Sequence, residues 1–450
     1  RTTGTVTPDD WHLKTLQLDS IQAVISGNGL LERDGDEFID SHLDAEIKIA
    51  NLSPFSSWLA RPLPDQDLQL SVELDSRAGV LLVEQLEMLS GDSDLSVTGR
   101  ATNPSFPELT LAGQSQLINL APWIRTFTTG KAGMATETAP AHTTLPVAQL
   151  IPDYPISFDA WKGFEADISL DIDNLTGLVR PLEDLQSAFS LQRDGLRVDE
   201  LSFDDGVNGS VALSGSLLNQ DNIPQLYLAL NGESLIYGMP KAPEEEADAL
   251  PAYDVKLRLT GSGATTQAVA SSLNGYLNLA MGSGYILNTG FDRLSNTFLQ
   301  ELSNALNPFK EQQAMTAIDC AAVFNTIENG QAFGKPSIVV DTPKVKILAD
   351  THVSFDTEKV KASFKTIPQK GLGINMSSLV NPFVEVTGTL SAPRISLNPA
   401  NTVVGGSLAV VTGGISLLLR SVLERLSTGG NICAKRLQKA NEAMAELDST

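Results

Sequence analysis

The stretch Phe164–Asp173, FEADISLDID, constrains the fold more than any other. Phe164, Ala166, Ile168, Leu170 and Ile172 alternate with Glu165, Asp167, Ser169, Asp171 and Asp173. Successive side chains of a strand point to opposite faces, so this segment predicts a strand with one apolar and one acidic face. The alternation returns at Leu43, Ala45, Ile47 and Ile49, at Leu68, Leu70, Val72 and Leu74, and at Tyr253, Val255, Leu257 and Leu259. A second pattern is a strand that closes on Gly: VISGNGLL (Val24–Leu31), LSVTGRA (Leu95–Ala101), VALSGSL (Val211–Leu217) and VTGTL (Val386–Leu390). Its irregular spacing excludes a solenoid of fixed period. It predicts similar hairpins in a meander, with Gly at bends or bulges. The expected fold is mainly β: a long curved antiparallel sheet with an apolar inner groove, plus a few helices concentrated in the C-terminal third. About 20 strands spaced by ~4.8 Å would make a sheet on the order of 100 Å long, and an open sheet of that size usually curls.

Helical periodicity is confined to Thr265–Leu273, Phe291–Leu306, Ile415–Leu426 and Cys433–Leu447. In the second, Phe291, Leu294, Phe298, Leu302 and Leu306 share a face, and Asn307-Pro308 ends it because proline cannot continue the ladder. Two Pro-rich stretches break the strand pattern, 129–155 as a linker or long loop and 239–251 as an acidic loop with Glu244, Glu245, Glu246 and Asp248. They divide the chain into a β-rich segment 1–128, a sheet segment 156–238, a sheet 252–400 with helix 291–306, and a helical cap 401–450. Residues 1–128 either continue the sheet or form a separate lobe.

The formal charge of −23 excludes nucleic acid as a partner, since phosphate binding needs a basic footprint. The same charge disfavours polybasic attraction to anionic lipid headgroups. The chain opens on Arg1 with no basic n-region or apolar h-region, so a targeting segment is expected outside it. Thr402–Leu419 is uncharged and just long enough to span a membrane. It holds four glycines and runs on into Arg420, Glu424 and Arg425. From Ile415 the apolar residues follow helical spacing, so an amphipathic helix covering apolar sheet is the better reading.

Catalytic chemistry is not signalled. The chain carries no nucleophile elbow, P-loop, dinucleotide fingerprint or HExxH helix. His12, His42, His142 and His352 are scattered singly, and no CxxC or Cys/His cluster offers a zinc site. Asp167, Asp171 and Asp173 read as solvent-facing carboxylates of a strand, because an EF-hand loop needs a Gly at its sixth position. No enzyme activity, cofactor or metal is expected. Cys320 and Cys433, 113 positions apart, either pair or remain two buried thiols. The apolar stripes either pack as an ordinary core or line a surface for a water-insoluble ligand. The candidate lining is Leu68, Leu70, Val72, Leu74, Ile168, Leu170, Ile172, Val211, Leu213, Val255, Leu257 and Leu259.

From Ile156 to Arg436 the chain resembles the AsmA family of Gram-negative envelope proteins. The carrying segments are FEADISLDIDNLTG (Phe164–Gly177), LQRDGLRVDELSFDDGVNGSVALSGSL (Leu191–Leu217) and SSLNGYLNLAMGSGYI (Ser271–Ile286). LNPF (Leu306–Phe309), IDCAAVFNTIENG (Ile318–Gly330) and NPFVEVTGTLSAPRISLNP (Asn381–Pro399) follow in the same order. The resemblance implies a periplasmic protein tethered to the inner membrane by an N-terminal helix that this chain does not contain. It also implies kinship with bridge-like lipid transfer proteins, whose curved sheet holds phospholipid acyl chains, and an outer-membrane or envelope protein as partner. An oxidising periplasm would favour a Cys320–Cys433 bridge. The expected function is movement of phospholipid between the inner and outer membranes; the alternative is a structural or assembly factor for envelope proteins.

Overall fold

A computed structural model describes residues 2–6, 10–20, 23–34, 37–59, 61–77, 80–102, 106–126, 150–159, 162–178, 180–236, 250–287, 315–369, 383–397 and 431–449. Strand makes up 65 % of the described residues and helix 12 %, so the class is mainly β. The chain divides into two compact units, Arg1–Thr144 with Ser157–Asn222, and Leu145–Ile156 with Ile223–Thr450.

Unit 1 contains β1 (Thr2–Val6), β2 (Asp10–Asp19), β3 (Ala23–Asp34), β4 (Glu37–Ile49), β5 (Leu68–Arg77), β6 (Val80–Ser90) and β7 (Ser93–Thr102). β8 (Glu108–Ser115), β9 (Ile118–Asn119), β10 (Glu165–Thr176), β11 (Leu182–Gln192), β12 (Gly195–Asp204) and β13 (Ser210–Gln220) follow. β1 to β8 form an antiparallel meander. β10 to β13 form another. The two are joined by parallel pairing of β8 with β10, which corrects the expectation of a wholly antiparallel sheet. Parallel neighbours need a long connection in place of a tight turn. Residues 116–164 separate the two strands in sequence, and β10 starts at the end at which β8 began. The alternation of Phe164–Asp173 is realised as β10, with Asp167, Ser169, Asp171 and Asp173 exposed.

Unit 2 contains β14 (Ile223–Leu235), β15 (Tyr253–Ser262), β16 (Asn274–Met281), β19 (Cys320–Glu328), β20 (Gln331–Asp341), β21 (Val345–Ser354), β22 (Val360–Pro368), β23 (Phe383–Thr389) and β24 (Ala392–Leu397). Each pairs antiparallel with the next. β17 (Gly284–Leu287) and β18 (Met315–Ile318) make a separate hairpin. The periodic Thr265–Leu273 segment forms the helix Thr266–Ser271, whose N-cap Thr265 accepts from the Ala268 amide. The Cys433–Leu447 segment forms the helix Ile432–Asp448, capped by the Asn431 side chain. Short helical turns also occur at Ser53–Phe55, Ser56–Leu59 and 121–126, so helix is not limited to the last third. The predicted helices Phe291–Leu306 and Ile415–Leu426, the candidate span Thr402–Leu419, and most of 129–155 and 239–251 lie outside the described residues.

Candidate functional site

Directly paired residues of a sheet present their side chains on the same face, so the register itself traces the apolar surface. In unit 1 one row of partners runs Gly27, Ala45, Val72, Leu86, Val97, Gly113, Leu170, Ser187, Leu201, Leu213, from β3 to β13. The neighbouring row runs Leu43, Leu74, Val83, Gly99, Leu111, Ile168, Phe189, Val198, Gly215. The opposite face is polar along the same strands: Arg100, Thr110, Asp167, Ser190, Arg197 and Ser216 form one of its rows. Leu68, Leu70, Val72, Leu74, Leu170 and Leu213 are only half-buried, and Ile168 is 40 % exposed. Ile172 and Val211 are buried. Among the described residues, the helical turns of this unit lie in connections between strand ends, and unit 1 has no second sheet.

Two bulges keep this face continuous. Val83 and Leu86 are three residues apart, as are Val198 and Leu201, a spacing that strict alternation would split between faces. In each case the pairing slips by one residue, between Val83 and Leu86 and between Val198 and Leu201. The extra residue is absorbed as a bulge and both apolar side chains stay on the same side. The Gly-closing repeat also gains a physical meaning. Gly27, Gly99 and Gly215 all fall on the apolar face. A methyl group at Gly99 would overlap the Thr110 carbonyl and the Leu111 side chain that leans over it.

In unit 2, Val255, Leu257 and Leu259 share a face with Leu228, Leu230, Leu277 and Leu279. That face continues through Val323, Ile338, Ala349, Phe364 and Val384. The helix Ile432–Asp448 covers the other face. Ile432 and Cys433 pack with Cys320, Ala322, Val339 and Leu348, and Ala440 and Met444 pack with Tyr276 and Phe324. Cys320 and Cys433 form a disulfide. Arg436 lies 5.0 Å from the Phe324 ring centroid and donates to the Phe324 carbonyl at 3.0 Å. Burial pushes its guanidinium down from its ordinary value. Asp448 closes the helix, accepting from Arg258 at 2.5 Å and from the Tyr276 hydroxyl at 3.3 Å.

On the polar face of unit 1, His42 lies between two carboxylates, with Nδ1 2.6 Å from Asp75 Oδ1 and Nε2 3.1 Å from Asp44 Oδ2. The hydrogen bonds to Asp75 and Asp44 raise the imidazole above its ordinary value, and the hydrogen bond from His42 holds the Asp75 carboxyl down. The ligand-type atoms of His42, Asp44 and Glu73 lie within 4.8 Å of one another. Both ring nitrogens are taken by carboxylates, so this group acts as a cross-strand ion pair.

The twelve residues read as an apolar lining therefore fall on two faces, nine in unit 1 and three in unit 2. Sequence reasoning left out Leu86, Leu111, Phe189, Val198 and Leu201, which the register places beside them. Leu111 sits in an alternating segment, ELTLAGQS, that offered a signal. Leu86, Val198 and Leu201 were hidden by the bulges. No protein-family model matches the chain, and no curated protein is found to be similar to it.

Proposed function

We propose that this chain is the periplasmic part of an AsmA-like lipid-binding bridge protein. It moves phospholipid between the inner and outer membranes of a Gram-negative envelope, tethered to the inner membrane by a segment outside the chain. The observation that carries this reading is the apolar face of unit 1, continuous in register across ten strands, with most of its lining only half-buried. Acyl chains lie against Leu70, Val72, Leu170 and Leu213 while headgroups stay in water. Each methylene held there is worth about 0.8 kcal/mol, and Ser187, whose hydroxyl is bonded to the Leu170 carbonyl, is the one polar side chain in the two rows, so they give a nearly level path along the sheet. The reading needs no catalytic group. The Cys320–Cys433 disulfide suits an oxidising compartment.

A specific observation favours a second reading, a structural or assembly factor. Ala349, Ala362, Phe364, Val384 and Val386 of unit 2 are 7 % exposed or less, as in an ordinary core. Photo-crosslinkers at Leu170 and Leu257, with controls at Asp167 and Asp171, separate the two readings when joined to lipid extraction and mass spectrometry. Phospholipid adducts at the leucines and none at the aspartates are expected. A purified chain that carries no lipid at any of the four positions would replace the conduit with the scaffold.

A further inference from the structure

On the polar face of unit 1, His42 and Asp44 of β4 lie directly opposite Asp75 and Glu73 of β5. Asp44 and Glu73 are thus two carboxylates facing each other across a strand pair, an arrangement that costs stability unless a cation lies between them. Among the described residues no Lys or Arg pairs with either. The basic side chains nearby are engaged elsewhere, Lys48 with Glu46 and Arg77 with Asp75. The bordering strands add no charge, since the partners beside these four residues are Asn28 and Leu30 of β3 and Leu82 and Gln85 of β6.

We propose that His42 Nε2 and the carboxylates of Asp44 and Glu73 form a site for one Zn²⁺ ion that straps β4 to β5. Ligand atoms that share such an ion at about 2.0–2.2 Å lie roughly 2.8–3.6 Å apart. Nε2 and Asp44 Oδ2 are 3.1 Å apart. The Glu73 carboxylate lies within 4.8 Å of both. It has no hydrogen bond or ion pair among the described residues, so it can turn in over the remaining distance. The other side of the imidazole carries the support a metal-bound histidine needs. Nδ1 lies 2.6 Å from Asp75 Oδ1, and Asp75 Oδ2 accepts from Arg77 at 3.0 Å. A carboxylate so placed keeps the proton on Nδ1 and aims Nε2 at the ion. One imidazole with two carboxylates suits Zn²⁺, whereas Ca²⁺ and Mg²⁺ prefer sets made of oxygen alone. In its protonated form the group is the cross-strand ion pair described above. Zn²⁺ takes the place of the Nε2 proton, which leaves to solvent, while Nδ1 keeps its own. The site does not depend on whether unit 1 carries lipid.

A chain with a net charge of −23 attracts cations loosely at many points, so the test must locate the ion. Both cysteines are held in the disulfide, so no thiol competes for it. Calorimetric titration of the EDTA-treated, dialysed full chain with ZnCl₂, in excess MgCl₂, should reveal a single saturable site. His42→Gln should abolish it. Glu73→Gln leaves the contacts of His42 with Asp75 and Asp44 in place, so a mere ion pair would not feel it. It should nevertheless weaken Zn²⁺ binding about tenfold or more, and Asp75→Asn, which touches no ion, should weaken it by about 10–100-fold. Zn²⁺ should raise the Tm of the parent chain and leave that of Glu73→Gln unmoved. Circular dichroism confirms that each variant is folded. Titration with no definite stoichiometry overturns the assignment, and so does a site that Glu73→Gln leaves at full strength.

Discussion

His42 ties β4 to β5 through Asp75 on the neighbouring strand and Asp44 on its own, and the tie is protonation-dependent. Its folded-state value is raised, so the stabilisation is complete below the ordinary value of 6.5 and fades as pH rises through the raised one. His42→Gln should therefore lower the Tm at about pH 5.5 and much less at about pH 9, a comparison that thermal scans of both proteins provide. Gly99 is held by close approach of backbone, not by charge. Gly99→Ala pushes a methyl group into the Thr110 carbonyl and should cost about 1–3 kcal/mol in urea unfolding at any pH.

At the level of elements, the disulfide and the helix it holds form a separable part of unit 2. Closing a loop of 113 residues removes chain entropy worth about 4–5 kcal/mol from the unfolded state. Cys433→Ser should lose stability on that scale. Hydrogen exchange should quicken in Ile432–Asp448 and at Ala322 and Phe324 beneath it, with little change in unit 1. This helix was legible in the sequence because Cys433, Leu437, Ala440 and Met444 recur at helical spacing. β10 was legible because Ile168, Leu170 and Ile172 alternate with acids. The bulges were not: Val198-x-x-Leu201 carries a three-residue spacing that alternation alone assigns to opposite faces. Nor was the parallel pairing of β8 with β10, since periodicity fixes which face a residue takes and says nothing of which strand lies beside it. The candidate lining was thus readable strand by strand, whereas its continuity depended on register.

For the whole chain, the balance that matters is between apolar sheet surface and a charge of −23. Leu170→Asp combined with Leu257→Glu places carboxylates on the apolar face of each unit. Phospholipid transfer between donor and acceptor vesicles should stop, while the circular dichroism of the variant stays that of a folded β protein. The 113-residue separation of the two cysteines has a further consequence, for the order in which the protein is made. Residues 320–328 emerge long before the helix that must cover them. At synthesis rates of about 5–20 residues per second, Ala322 and Phe324 wait roughly 6–23 s with their face bare. A holding chaperone would find its natural substrate in that interval, and a disulfide oxidase only at its close, once Cys433 has appeared.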